Sequence, residues 1–153
     1  MSKQRFYVDT QGNDDEAYYE AMQFACKISN TNIEIKRVII LISTKKNIEW
    51  FDRIYGKGME KQLTKGMNFK NCKPLFKLET KKAYTSSRTL SEIVITCGLD
   101  EKDLFLIDNF ESVKVIIAIP WLSNNIKKWL AVWNPIELRE NPQMAINDSV
   151  PSL

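Results

Sequence analysis

The stretch from Ser91 to Trp121, SEIVITCGLDEKDLFLIDNFESVKVIIAIPW, constrains the fold more than any other part of the chain. Ile93, Val94, Ile95 and Thr96 form a run suited to a pleated surface, and Gly98 breaks it. Val113 to Ile119 forms a second run of the same kind. Between them Asp100 stands three residues before Asp103 and just ahead of Leu104, Phe105 and Ile107, the pattern of an N-cap and a short amphipathic helix. Parallel strands need a connection of about a dozen residues or more, which Gly98 to Lys114 supplies. The stretch therefore predicts a strand, a crossover helix and a strand. A competing pattern exists. Leu90, Ile93, Val94 and Cys97 also fit one helical face over 87–97, which would make Leu104 to Asp108 a strand hairpinned to the last one. The β-branched composition favours the strand.

The same alternation recurs upstream. Arg5 to Asp9 reads as a short strand ending in the turn Thr10, Gln11, Gly12. Asn13 is placed to cap a helix, with Glu16 three residues later and Asp14 and Asp15 at its positive end. Ala17, Ala21, Phe24, Ala25 and Ile28 then recur at helical spacing. Arg37 to Ser43 (RVIILIS) is a continuous apolar run of the kind buried on both faces of a parallel sheet. Ile48, Phe51, Ile54 and Tyr55 give the apolar side of a second helix over Lys45 to Tyr55. Met59 and Leu63 fit one or two further turns. Pro74 to Thr80 places a proline at its start and charge inside, the marks of an edge strand. Residues 81–90 predict a short helix or loop.

After the Val113 strand, Ser123 is positioned to cap a closing helix in which Ile126, Trp129, Leu130 and Trp133 fall at i, i+3, i+4 and i+7, and Asn134-Pro135 stops it. Strands alternating with helices predict an α/β fold, a Rossmann-like or flavodoxin-like three-layer sandwich with a mainly parallel five-stranded sheet in the order 3-2-1-4-5. One domain is expected over residues 1–135, with an extended or disordered tail over 136–153.

The 153-residue chain contains no histidine. That removes Ser-His-Asp, Cys-His and HExxH chemistry together with the usual neutral-pH acid/base group, and weighs against an enzyme. Cys26, Cys72 and Cys97 are odd in number, widely separated and in no CxxC pair, which suits a reducing compartment and argues against structural zinc. No apolar run approaches the roughly 18 residues of a membrane span, and MSKQRFYVDT has no signal-peptide core, so a soluble cytoplasmic protein is expected.

Charge is unevenly spread. Residues 45–88 carry 12 Lys/Arg against 4 Asp/Glu, while the flanking thirds are mildly acidic. Such a Lys-rich block hints at an anionic partner and makes nucleic acid a candidate; its plain reading is a solvated face. No Walker A or dinucleotide fingerprint occurs. Even so, the predicted strand order brings the turn Thr10, Gln11, Gly12, Asn13 to the end of the fourth strand at Cys97 and Gly98, with Thr44, Lys45 and Lys46 alongside. Backbone N–H groups there favour a phosphate or carboxylate, and Trp121 at the end of the last strand could stack on a base. Cys97, without a histidine to activate it, reads better as an inert thiol. Asp9 at a strand end would need further carboxylates to hold Mg²⁺, and no cofactor or metal is expected.

The resulting expectation is a small domain that binds an anionic small molecule, a nucleotide foremost, in a sensing or regulatory role. Two alternatives stand beside it. One is a protein-interaction subunit or homo-oligomer using the last helix and tail. The other is a nucleic-acid binder or metal-dependent nuclease using 45–88 and Asp9.

Overall fold

The computed structural model describes residues 3–10, 14–43, 49–84 and 90–140. The strands are β1 (Gln4–Tyr7), β2 (Ile35–Ile42), β3 (Leu75–Thr80), β4 (Ser91–Cys97), β5 (Val113–Ile119) and β6 (Ile136–Glu137). The helices are α1 (Asp15–Thr31), α2 (Glu49–Tyr55), α3 (Met59–Lys65), α4 (Glu101–Asp108) and α5 (Lys127–Trp133), the last entered through a 3₁₀ turn at Ser123–Ile126. All strand pairs are parallel, and helices cover both faces, so the α/β sandwich stands.

The sheet has six strands, in the order β3-β2-β4-β5-β1-β6, where the sequence predicts five in the order 3-2-1-4-5. The difference lies in β1. It pairs with β5, through Gln4↔Val115 to Tyr7↔Ala118, and has β6 on its other side. The physical reason is the length of α1. Its 17 residues span about 26 Å at 1.5 Å per residue, enough to run across β5 and β4 to β2, and it packs on all three. A connection that long does not require its two strands to be neighbours.

Alternate residues of the central strands feed two cores. Val38, Ile40, Ile93, Ile95, Val115 and Ile117 face α1, α2 and α3, while Ile39, Leu41, Val94 and Ile116 face α4 and α5 with Leu104, Ile107, Ile126 and Trp129. Burial on both faces accounts for the unbroken apolar runs. Ser91–Cys97 is a strand, as its β-branched run predicts, and Asp100 caps α4 by accepting from the Asp103 N–H at 2.9 Å. At α1 the cap is Asp14, whose carboxylate accepts from the Ala17 N–H at 3.2 Å; Asn13 lies outside the described residues. Ser123 does not cap the closing helix, because its hydroxyl is turned to Asp9.

Two further expectations change. Residues 136–140 belong to the folded body: β6 extends the sheet and Leu138 is buried, its N–H bonded to the Tyr7 carbonyl at 3.0 Å. The rest of the expected tail, 141–153, lies outside the described residues. Cys26 and Cys72, 46 residues apart, form a disulfide with Cα atoms 5.4 Å apart. Asn30 on α1 clasps the loop ahead of β3, donating to the Asn71 carbonyl at 2.7 Å and accepting from the Lys73 N–H at 3.2 Å, which brings the two thiols together. Among the described residues no helix is long and apolar enough to cross a membrane.

Candidate functional site

The strand ends at the C-terminal edge set out the possible sites. Ile42 of β2 lies level with Thr80 of β3 on one side and Cys97 of β4 on the other. From β2 the chain leaves through α2 and α3 toward β3, on the α1 face. From β4 it leaves through α4 toward β5, on the opposite face. Neighbouring parallel strands with diverging connections leave a crevice at their carboxyl ends, where open α/β sheets bind ligands. The switch point thus lies between β2 and β4, not between β1 and β4 as the predicted order required.

Gly98 begins the β4–α4 turn with φ +70°, a left-handed conformation suited to glycine, and open space surrounds the position a Cβ would take. Its N–H continues the ladder to the Ile119 carbonyl at 2.8 Å. Beside it, the Lys81 N–H bonds the Ile42 carbonyl at 2.8 Å, and the exposed Lys81 ammonium meets Asp103 at 2.8 Å. Ser43 and Lys82 are exposed on the same rim. Cys97 faces inward, and burial pushes its thiol well above the ordinary cysteine range. It is a packing residue with no thiolate to offer.

The predicted site residues therefore separate into two groups. Cys97 and Gly98 sit at the β2/β4 crevice, where Thr44, Lys45 and Lys46 follow β2 in the chain but lie outside the described residues. Thr10 and Trp121 meet at the ends of β1 and β5, respectively two strand positions and one strand position from β4. There the Thr10 hydroxyl donates to the Pro120 carbonyl, and the Thr10 N–H donates to the Ser123 hydroxyl at 3.2 Å. Trp121 is 50% exposed. Gln11 and Gly12 also lie outside the described residues.

Beyond β1 a polar network that the sequence left unseen closes the edge. Arg139, just after β6, places two guanidinium nitrogens on Asp14 at 2.6 and 2.9 Å and a third on Glu20 at 3.2 Å. This hydrogen bonding holds the Asp14 carboxyl below its usual range and raises Arg139. The signal was present: Arg139 follows Glu137 and precedes Glu140 in a segment read as tail. Asp9 receives the Ser123 hydroxyl, while Asp108 lies in another network with Arg5 and Trp129. Among the described residues no group of three or more His, Cys, Asp or Glu side chains could hold a metal.

The hydroxyl-rich stretch that begins at Tyr84 is absorbed structurally at its first residue. Tyr84 is buried and donates its hydroxyl to Glu92 at 2.8 Å; Thr85, Ser86, Ser87 and Arg88 lie outside the described residues. Trp50 and Trp129 are core residues, and Trp50 stacks on Tyr18 with ring centroids 3.9 Å apart. Comparison with protein families, curated proteins and solved structures finds no match.

Proposed function

We propose that this protein binds a small anionic molecule, a nucleotide foremost, in the crevice between the ends of β2 and β4, in a sensing or regulatory role. The observation that carries the reading is the divergence of the β2 and β4 connections onto opposite faces. Open space at Gly98 lets a ligand approach the backbone, and Lys82 supplies positive charge on the rim, Lys81 being paired with Asp103. Asp14 and Asp100 already occupy the N-termini of α1 and α4, and the Gly98 and Lys81 N–H groups are bonded to the Ile119 and Ile42 carbonyls, so the anion would be held through Lys82 and not by those helix ends. The Cys26–Cys72 disulfide, of a kind rare in reducing compartments, weighs against the cytoplasmic location expected from the cysteine pattern.

A thermal-shift panel of mono-, di- and cyclic nucleotides tests it. A ligand at 100 times its Kd should stabilise the fold by about 2.7 kcal/mol, a rise of roughly 5 to 10 °C at this size. Gly98→Val should abolish the rise by filling the approach. No shift with any nucleotide, or an equal shift in Gly98→Val, rejects the site.

A second reading, a protein-interaction subunit, is favoured by one observation: Val132, Trp133 and Ile136 are 61%, 43% and 41% exposed around α5 and β6. Concentration-dependent light scattering that Val132→Asp removes would support self-association there; a monomer at every concentration would count against it.

A further inference from the structure

We propose that the β3 edge of the sheet is a docking surface for the phosphate backbone of double-stranded nucleic acid, separate from the β2/β4 crevice. β3 is the outermost strand on its side. α3 packs over it and ends where it begins, with Gly66 against Leu75 and Met67 bridged to Phe76. Around this edge Lys57, Lys61, Lys65, Lys70 and Lys73 are all exposed, and none forms an ion pair with a described carboxylate. Lys61 and Lys65 stand one helical turn apart on the outer face of α3, whose inner face buries Leu63.

The opposite edge lacks that excess: exposed Asp9, Glu16 and Glu140 stand there beside the Arg139 network, and Lys3 and Arg5 are paired with Asp108. A molecule polarised in this way presents its β3 edge to a polyanion. The six residues of β3 run for about 20 Å at 3.3 Å each, and a duplex carries about a dozen phosphates over that distance.

The chemistry of the face selects the kind of polyanion. No large hydrophobic side chain among the described residues 49–84 is exposed: Phe51, Leu63, Phe69 and Phe76 are all buried. Single strands are held by bases stacked on aromatic side chains, and membrane-surface segments insert apolar ones. This edge offers no exposed aromatic ring, and the exposed Ile33, which shares a cavity with Lys36, Lys73 and Pro74, is a lone apolar side chain among lysines. The charge of the edge is chiefly cationic, which suits a backbone already held rigid by base pairing and read without regard to sequence.

Fluorescence anisotropy of the whole protein with labelled 24-base-pair DNA and RNA duplexes, and with their single strands, provides the test. At 50 mM salt a duplex should bind more tightly than its single strand. The slope of log K against log salt should be about −4 to −5 if five phosphates are neutralised. Lys61→Glu with Lys65→Glu, and separately Lys70→Glu with Lys73→Glu, should each weaken binding at least tenfold without changing the melting temperature. Lys127→Glu with Lys128→Glu on α5 should leave it within twofold. Preference for DNA or for RNA would name the duplex. Absence of duplex binding, equal binding by the reversed variants, tighter binding to single strands or to anionic vesicles, or salt-sensitive self-association through these lysines would each overturn the proposal.

Discussion

Arg37 on β2 reaches across to Glu92 on β4, whose carboxylate is fully buried, with its Nε–H donating to Oε2 at 2.7 Å. The same carboxylate takes the Tyr84 hydroxyl at 2.8 Å and the Ser112 hydroxyl at 3.1 Å. A buried charge is tolerated here because its oxygens are hydrogen-bonded and one donor is a cation. Glu92 thereby joins β2, the β3–β4 connection and the start of β5; burial raises the Tyr84 phenol well above its ordinary range, and Glu92 pushes it further up.

Removing Arg37 should therefore cost more than an exposed ion pair would. Arg37→Met leaves the buried carboxylate without its counter-charge, and loss of one partner of a buried pair costs about 3 to 5 kcal/mol. Urea denaturation should place the loss at the lower end, because Tyr84 and Ser112 remain. A loss below about 1 kcal/mol, the usual worth of a surface pair, would show that Glu92 is hydrated.

The Cys26–Cys72 bond closes a loop with a sequence separation of 46. On the chain-entropy account such a link contributes about 4 kcal/mol, or a melting-temperature difference of about 8 to 16 °C for a chain of this size. A Cys26→Ala, Cys72→Ala double variant should melt lower by that order, and adding reductant to it should change nothing further. Thiol labelling of the denatured, unreduced wild type should find Cys97 alone. Labelling at all three cysteines would remove the bond.

Gly98 separates backbone strain from occupation of the crevice. Its φ of +70° disfavours any side chain, yet nothing lies within 4 Å of an added Cβ. Gly98→Ala should cost about 1 to 2 kcal/mol from conformation alone and leave nucleotide shifts in place. Gly98→Val should cost more and abolish them. Calorimetric melts with and without nucleotide distinguish the two effects.

Much of the architecture was legible in the sequence because it rests on local signals. The runs Arg37–Ser43 and Val113–Ile119 are strands since their β-branched residues are buried on two faces, and Asp100 with Asp103 marks the start of α4. Strand order was not legible, because α1 is long enough to carry the chain from β1 over two strands to β2. That one displacement moved Thr10 away from Gly98 and split the predicted cradle. The disulfide and the Arg139 network were hidden for the same reason: each joins residues far apart in the chain, Cys26 to Cys72 and Asp14 to Arg139, whose proximity exists only once the sheet is assembled.

Arg139 and Asp14 give the last prediction a pH dependence. Hydrogen bonding by Arg139 holds the folded-state Asp14 carboxyl below its ordinary value of 3.8. A depressed folded value means that the unfolded chain takes up the proton first, so the pair's contribution is complete above about pH 5 and is lost as pH falls through the folded value. Melting temperature should drop between pH 5 and pH 2.5 in the wild type. In Asp14→Asn it should start lower at pH 7 and fall less over the same interval, because one linked proton has been removed while the N-cap oxygen to Ala17 is kept. Parallel acid profiles, with an unchanged gap between the two proteins at every pH, would show that Arg139 does not engage Asp14 in solution.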